Sequence, residues 1–422
     1  NISIYLCSMK VFKFGGASVK DAAGVKNVAS IIKNYTGGNA VIVVSAMGKT
    51  TNALEQIVNL CYAKNDYNEA INQLYKHHQT IVDDLHIHVE LSYFIDLIIQ
   101  QIEGNRYMTY PQYYDQVVSV GELISSSILS AYLSQQNIAN TWMDARTLIA
   151  TDNTWRTGVV NWEKTTQQIA ETVIPALQTA HVVTQGFIAG NQQNTTTLGR
   201  EGSDYTGAIF ANILLAEGLW IWKDVPAVLN ADPKLYPDAI EIPELTYYEA
   251  TEITYYGASV IHPKTIHPLE QKSIPLFVKS FINPELPGTV IQTNDKVIDY
   301  PPITMEKPNQ TLISIIPSKV SFVDDEQMAI IYDVFIKHKL SINIIQKAAQ
   351  SVSVVVDDND DVTRLIKDEL KLIFSQGEVR SNNNLKLITI RNYIVTKAMK
   401  SFANGQTPYL EQVTRKTMQV LL

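Results

Sequence analysis

The residues with the most chemical reach cluster between Val182 and Gly207, where VVTQGFIAGNQQNTTTLGREGSDYTG runs from an apolar strand into a loop of hydroxyls and glycines. Arg200, Ser203 and Asp204 sit in that loop. A helix expected over Ala208–Gly218, from apolar residues at helical spacing, puts Ser203 to Thr206 beside its first turn, where free N–H groups favour an anion. Ser, Asp and Thr are also ordinary helix caps. The loop alone therefore reads two ways, as a phosphate or carboxylate site or as a capped helix start. Arg200 adds a planar fork that matches a carboxylate in two-point contact.

Other strand ends carry polar chemistry too. In VFKFGGASV, Lys13 stands two residues before the paired glycines Gly15 and Gly16, whose missing Cβ atoms let backbone amides approach a phosphate. A tight strand-to-helix turn explains the same glycines. In AVIVVSAMGKTTNAL an apolar strand leads into Ser45, Gly48, Lys49, Thr50 and Thr51. The end of this stretch looks like a P-loop, but Val43 stands where that motif needs glycine, so the P-loop reading fails. What survives is a hydroxyl-bearing loop suited to a small polar ligand. Glu122 enters a helix just after Gly121 and reads equally as a capping residue. A further strand closes on Lys223 and Asp224 before a loop punctuated by Pro226, Pro233 and Pro237. His77, His78, His86 and His88 lack the spacing that places two ligands on one helix face, so no metal-ligating residues are assigned.

Strands alternating with helices argue a largely parallel sheet flanked by helices, with ligands beyond the strand C-termini. The loops at Lys13, Ser45, Arg200 and Asp224 are expected to converge on one edge. At 422 residues the chain exceeds a single core, and 45% hydrophobic with 18% charged residues suits a soluble globular protein. No apolar run reads as long enough to span a bilayer. A net charge of −8 without a basic cluster argues against a nucleic-acid partner. Cys7 and Cys61 are the two cysteines, which excludes a disulfide framework and suits a reducing cytoplasm. Met9 reads as the natural start.

The segments KFGGASV, SAMGKTTN, VGELIS, TQGFIAG, GREGSDYTG, KDVPAVLNADPK and YYGASVIHPKTI, in this order, resemble the aspartate kinase family from about Met9 to Val290. The resemblance implies a three-layer αβα sandwich of amino-acid kinase type, with L-aspartate in an N-terminal lobe and ATP with Mg2+ in a C-terminal lobe. The implied reaction is ATP-dependent phosphorylation of the aspartate side-chain carboxylate. Lys13, Gly15, Gly16 and Asp204 are then catalytic, and Ser45, Thr51, Glu122, Arg200 and Ser203 bind aspartate, with Glu122 facing its ammonium. Nucleotide contacts fall to Lys13, Gly16, Lys223, Asp224, Leu229, Lys234, Ser259 and Lys264. Departures from the family pattern are Ala17 for threonine, Glu201 for glycine, Leu229 for tyrosine and Ser259 for lysine. Lys264 is the candidate to supply the charge missing at Ser259.

Around Asn283 prolines mark a linker, with Pro301, Pro302 and Pro308 continuing it. Beyond it the order strand–helix–strand–strand–helix–strand predicts a four-stranded antiparallel sheet with two helices on one face. A second round begins at LKLITIRNYI, about 70 residues after the first, as in a duplicated unit. The resemblance is to ACT domains, amino-acid sensors of α+β, ferredoxin-like form. The expected boundaries are 9–300 for the kinase domain, 303–384 for a first ACT-like domain and 385–422 for an incomplete second, completed by strand exchange or a partner chain. Lysine or threonine is the expected effector, and edge-to-edge pairing of such sheets suggests a homodimer.

Overall fold

The computed structural model describes residues 9–104, 107–191, 193–258, 261–294, 298–318, 322–393 and 407–422. The chain forms two compact units. One holds Asn1–Leu229, Ile240–Tyr255 and Ser259–Ile298, and the other Asn230–Ala239, Tyr256–Ala258 and Asp299–Leu422.

The first unit is built on β1 (Lys10–Phe14), β2 (Ala40–Val44), β3 (Asn140–Met143), β4 (His181–Gln185), β7 (Gly218–Lys223), β10 (Glu244–Thr246), β11 (Leu276–Ser280) and β12 (Thr289–Gln292). Two short hairpins, β5 (Ile188–Gly190) with β6 (Thr195–Thr197) and β8 (Val228–Leu229) with β9 (Glu241–Ile242), stand outside that sheet. The sheet order is β10-β12-β11-β7-β1-β2-β4-β3, parallel throughout except where β11 meets β12. All five residues of β2 are buried, as a central strand covered on both faces requires.

Side-chain alternation along β1 decides what reaches the cleft. Phe12 and Phe14 turn to one face and pack against Trp222, with ring centroids 5.5 and 6.1 Å apart. Val11 and Lys13 take the opposite face. There the helix Gly202–Leu214 comes so close that a Cβ on Gly207 would lie 2.8 Å from Leu219 and 3.7 Å from the Lys13 Cβ. A one-residue slip of β1 would exchange Lys13 for a phenylalanine.

Two sequence expectations change here. The helix expected to reach Gly218 stops at Leu214, where Leu215 takes the left-handed cap at φ 49°. Gly218 opens β7 instead, and a Cβ there would meet the Phe277 ring at 2.8 Å. The stretch Tyr110–Gln135 is in fact long and apolar enough to cross a membrane, with mean hydropathy 1.4, contrary to the expectation of no such run. Its most apolar 18-residue window is 78% buried within the protein, which marks it as core. Ser119, in helical conformation, joins its two parts, Tyr110–Val118 and Val120–Gln135.

The second unit carries a six-stranded antiparallel sheet, β14-β15-β13-β16-β18-β17 in space. Its strands are β13 (Ile303–Ile316), β14 (Ile342–Lys347), β15 (Val352–Asp357), β16 (Glu378–Arg391), β17 (Leu410–Val413) and β18 (Thr417–Leu421). The helices Asp325–Lys337 and Asp360–Ile373 pack on one face over Ile313, Ile315, Val354 and Val356. The opposite face buries Leu312, Val355, Leu385 and Leu421. Pro308, read as linker, lies inside β13 instead. It sits at a bulge between Lys307 and Gln310 with Asn309 at φ 53°, where a missing N–H costs little. The short strand expected at Glu378 and the repeat expected at Leu385 are one 14-residue strand, β16. The first half of β13 pairs with the second half of β16, Ile303 with Arg391 through Lys307 with Leu387.

Candidate active site

A cleft of about 670 Å³ opens at the C-terminal ends of β1, β2, β4 and β7. Lys13, Gly16, Ser45, Thr51, Glu122 and Arg200 line it, together with Ser203, Asp204 and Lys223. Nine residues singled out by type and spacing, drawn from 13 to 223, thus share one cavity.

At one end the Lys13 Nζ lies 2.6 Å from Asp204 Oδ1, and the Lys223 Nζ lies 3.8 Å from Oδ2. Asp204 is 3% exposed. Burial pushes its carboxyl up, but Lys13 and Lys223 outweigh burial and hold it below the usual carboxylate range. Asp204 and Ser203 belong to the first turn of Gly202–Leu214 without capping it. The cap position belongs to Glu201, in left-handed conformation at φ 53° and with no side-chain cap bond. Glycine is the residue that adopts this backbone at no cost, so Glu201 is held there by its surroundings. The capped-helix reading of the loop therefore fails.

Glycines set the spacing of the walls. A Cβ on Gly186 would fall 2.5 Å from that of Ser203, and one on Gly16 would meet the Ala46 carbonyl at 2.6 Å. The Gly16 carbonyl also accepts the Gly48 N–H at 3.0 Å. Gly16 thus serves loop-to-loop packing as well as any approach to a phosphate. Gly15 lies beside Lys13, its built Cβ 3.5 Å from the Lys13 Nζ.

At the other end stands Glu122, in the first turn of Val120–Gln135 and 2% exposed. Gly121 makes this placement possible, because a Cβ there would press on Leu54 at 2.9 Å and on Thr50 at 3.0 Å. Burial pushes the Glu122 carboxyl up to about 8, against its own N–H and that of Ala46, which favour the ionised form. Its Oε2 is buried without a hydrogen-bond partner. Such an atom costs about 1–3 kcal/mol until something pairs with it. Arg200 is exposed, makes no ion pair among the described residues, and borders the cleft with its guanidinium available.

The remaining sequence candidates do not line this cleft. Asp224 is exposed, and Leu229 is half-buried in the β8–β9 hairpin. Lys234 is exposed and belongs to the second unit. Lys264 is exposed near the start of Pro263–Glu270, where Glu201, Lys264 and Arg200 all act electrostatically on His262. Ser259 lies outside the described residues. Among the described residues no group of three or more His, Cys, Asp or Glu side chains could hold a metal. His78 is instead a core residue, its Nδ1 2.8 Å from the Leu74 carbonyl and its Nε2 3.2 Å from the Thr50 hydroxyl. Sequence reasoning missed Tyr114, Arg156, Thr157, Phe187 and Thr197, all of which line the cleft.

The model of the amino acid kinase family matches residues 8–280, and the chain belongs to that family. Aspartokinases are among the proteins it is similar to. Aspartokinase 1, chloroplastic, of Arabidopsis thaliana is 31% identical over 396 residues, 87% of this chain and 67% of that protein. The bifunctional aspartokinase/homoserine dehydrogenase 1, chloroplastic, of the same plant is 32% identical over 67% of this chain, which spans only 32% of that longer relative. Among solved structures, E. coli aspartokinase III in complex with aspartate and ADP, in its R-state, superposes with a TM-score of 0.81 at 25% identity. Its T-state complex with lysine and aspartate gives 0.79 at 26%. Both cover 98% of this chain and 96% of the solved one.

Proposed function

We propose that this chain is an aspartate kinase, transferring the γ-phosphoryl group of ATP to the side-chain carboxylate of L-aspartate. The observation that carries this reading is the division of one cleft into a lysine–carboxylate–lysine cluster and, apart from it, a buried glutamate with an unpartnered oxygen. The first suits a transferring phosphoryl group and the second an ammonium.

A carboxylate with a reference pKa of about 4 is ionised at neutral pH, so the acceptor needs no general base. The barrier is the meeting of two anions, which positioning and positive charge lower. Lys13 and Lys223 supply that charge, and Asp204 keeps both aimed at the phosphoryl group rather than accepting a proton. Glu122 takes the substrate ammonium, Arg200 a carboxylate, and Ser45, Thr51 and Ser203 their remaining bonds. The nucleotide is assigned to the side of the cleft where Lys223 leads into Asp224 and Leu229, with Lys264 as an outer contact. Among the described residues no group of three or more His, Cys, Asp or Glu side chains forms a cage for Mg2+, and Asp204 is taken up by two lysines. The ion then arrives on the phosphates of ATP, where it neutralises charge.

The antiparallel sheet of the second unit, with its helices, is assigned as a sensor of lysine or threonine and as the seat of a homodimer. Its sheet leaves β14 and β17 as open edges for pairing. The E. coli enzyme's complex with lysine supports lysine as the first effector to try. A reducing, cytoplasm-like compartment is assigned with it, supported by the presence of two cysteines in 422 residues.

Purified protein with ATP, Mg2+, L-aspartate and hydroxylamine is expected to form aspartyl hydroxamate. Hydroxamate formed from another carboxylate but not from aspartate would overturn the substrate. Activity unmoved by lysine and by threonine would remove the sensor assignment.

A further inference from the structure

We propose, resting on the aspartate kinase reading, that Arg156 is a second guanidinium binding the α-carboxylate of the acceptor, beside Arg200. It lies in TDNTWRTG, a stretch with no chemical signature, yet it lines the same cleft as Arg200 and Glu122.

The backbone there is held with some force. Arg156 has φ 65°, a left-handed conformation that a non-glycine residue keeps only where its surroundings impose it. Asp115, fully buried, imposes it by accepting the Arg156 N–H at 2.8 Å. The same carboxylate accepts the Thr197 N–H at 3.0 Å and the Thr197 hydroxyl at 2.8 Å. One buried acid thus ties Arg156 and the β6 edge of the cleft into a single wall. The Arg156 carbonyl and the Thr157 Cγ2 each lie 3.1 Å from where a Cβ on Gly199 would stand. Arg156 and Arg200 are therefore mounted on touching backbones.

The guanidinium is aimed but not consumed. Its Cζ lies 4.1 Å from the centre of the Tyr114 ring, which fixes its plane. Its ion pair is a 3.5 Å approach to Glu55, with both side chains well exposed, a contact of the kind that contributes little. Tyr114 in turn feels the charge of Glu122, so Arg156, Tyr114 and Glu122 follow one another along the wall. The ammonium and the α-carboxylate of an amino acid sit on the same carbon. A cation placed toward the ammonium-binding acid therefore meets the α-carboxylate, not the reacting one. Lys13 and Lys223 are both engaged with Asp204, which leaves the two arginines for this task.

The test compares L-aspartate with its α-amide, L-isoasparagine, as acceptors for the parent, R156Q, R156K and E55Q. A lost charge-assisted pair corresponds to roughly 10- to 100-fold in affinity. R156Q is expected to raise KM for L-aspartate by that factor, leave kcat and KM for ATP within about threefold, and narrow the preference for aspartate over the α-amide by the same factor, Arg200 keeping the remainder. R156K is expected to recover part of the loss, and E55Q to match the parent. An R156Q protein with KM for aspartate and substrate preference unchanged would overturn the inference alone. So would a loss shared by both acceptors and ATP together with a lowered Tm. A parent that forms no aspartyl phosphate would overturn the kinase reading and this inference with it.

Discussion

Asp204 and Glu122 are both acids in the first turn of a helix, both buried, and both on the wall of one cleft, yet their proton affinities are driven in opposite directions. Asp204 has Lys13 at 2.6 Å and Lys223 at 3.8 Å, which hold it ionised against the cost of burial. Glu122 has backbone N–H groups alone, and burial pushes it up to about 8. The difference teaches that one end of the cleft is assembled before any ligand arrives, while the other waits for a cation that the ligand must bring. A buried acid for which the protein itself supplies no cation is a statement about what binds there.

The comparison breaks most visibly at the assembled end. Replacing Lys13 by alanine removes a charge from the phosphoryl site and unbalances Asp204, so kcat should fall by about 10²–10³ with KM for aspartate little changed. Steady-state kinetics with less than a tenfold loss would sever that end from the chemistry. At the waiting end, E122Q should raise KM for aspartate by roughly 10- to 100-fold with a smaller effect on kcat. In the parent, Glu122 must ionise to take the ammonium. KM for aspartate should therefore drop as pH rises from 6.5 toward 8.5, and E122Q should flatten that profile.

A smaller effect concerns stability without substrate. The folded-state value of Glu122 lies above its ordinary 4.5, so its contribution is present below about pH 4.5 and is lost as pH rises through about 8. E122Q should thus gain Tm over the parent as pH goes from 5 to 8, measured by thermal denaturation. Equal pH dependence in the two proteins would mean Glu122 stays solvated. The smallest change is expected outside both ends: K264A should raise KM for ATP by only a few-fold. An unchanged KM for ATP and unchanged kcat would leave Lys264 a surface residue.

What could be read from the sequence was what residue type announces. Paired glycines after a strand and the Arg-Glu-Gly-Ser-Asp run each carried a physical reason and reach the cleft, whereas Glu122 read equally as a cap and owed its assignment to the family resemblance. Arg156 announced nothing, because its position depends on a bond to an acid 41 residues away and on a backbone conformation that no arginine advertises. The register that points Lys13 at Asp204 was likewise invisible until β1 had neighbours. Pro308 misled in the other direction: a proline reads as a break in a chain, and the bulge that absorbs it depends on two residues of β13 shifting against β16. The loop at Asp224 failed to join the others because only the strand end before it, Lys223, turns inward.

The two longest strands of the second unit have one more implication. Because β13 and β16 run unbroken through both halves of their sheet, those halves share a common axle of backbone amides. The bulge at Asn309 marks where β13 passes from pairing in one half to pairing in the other. Cutting the chain between the halves cannot yield two free-standing modules, since each would be left with part of a strand whose remainder belongs to the other.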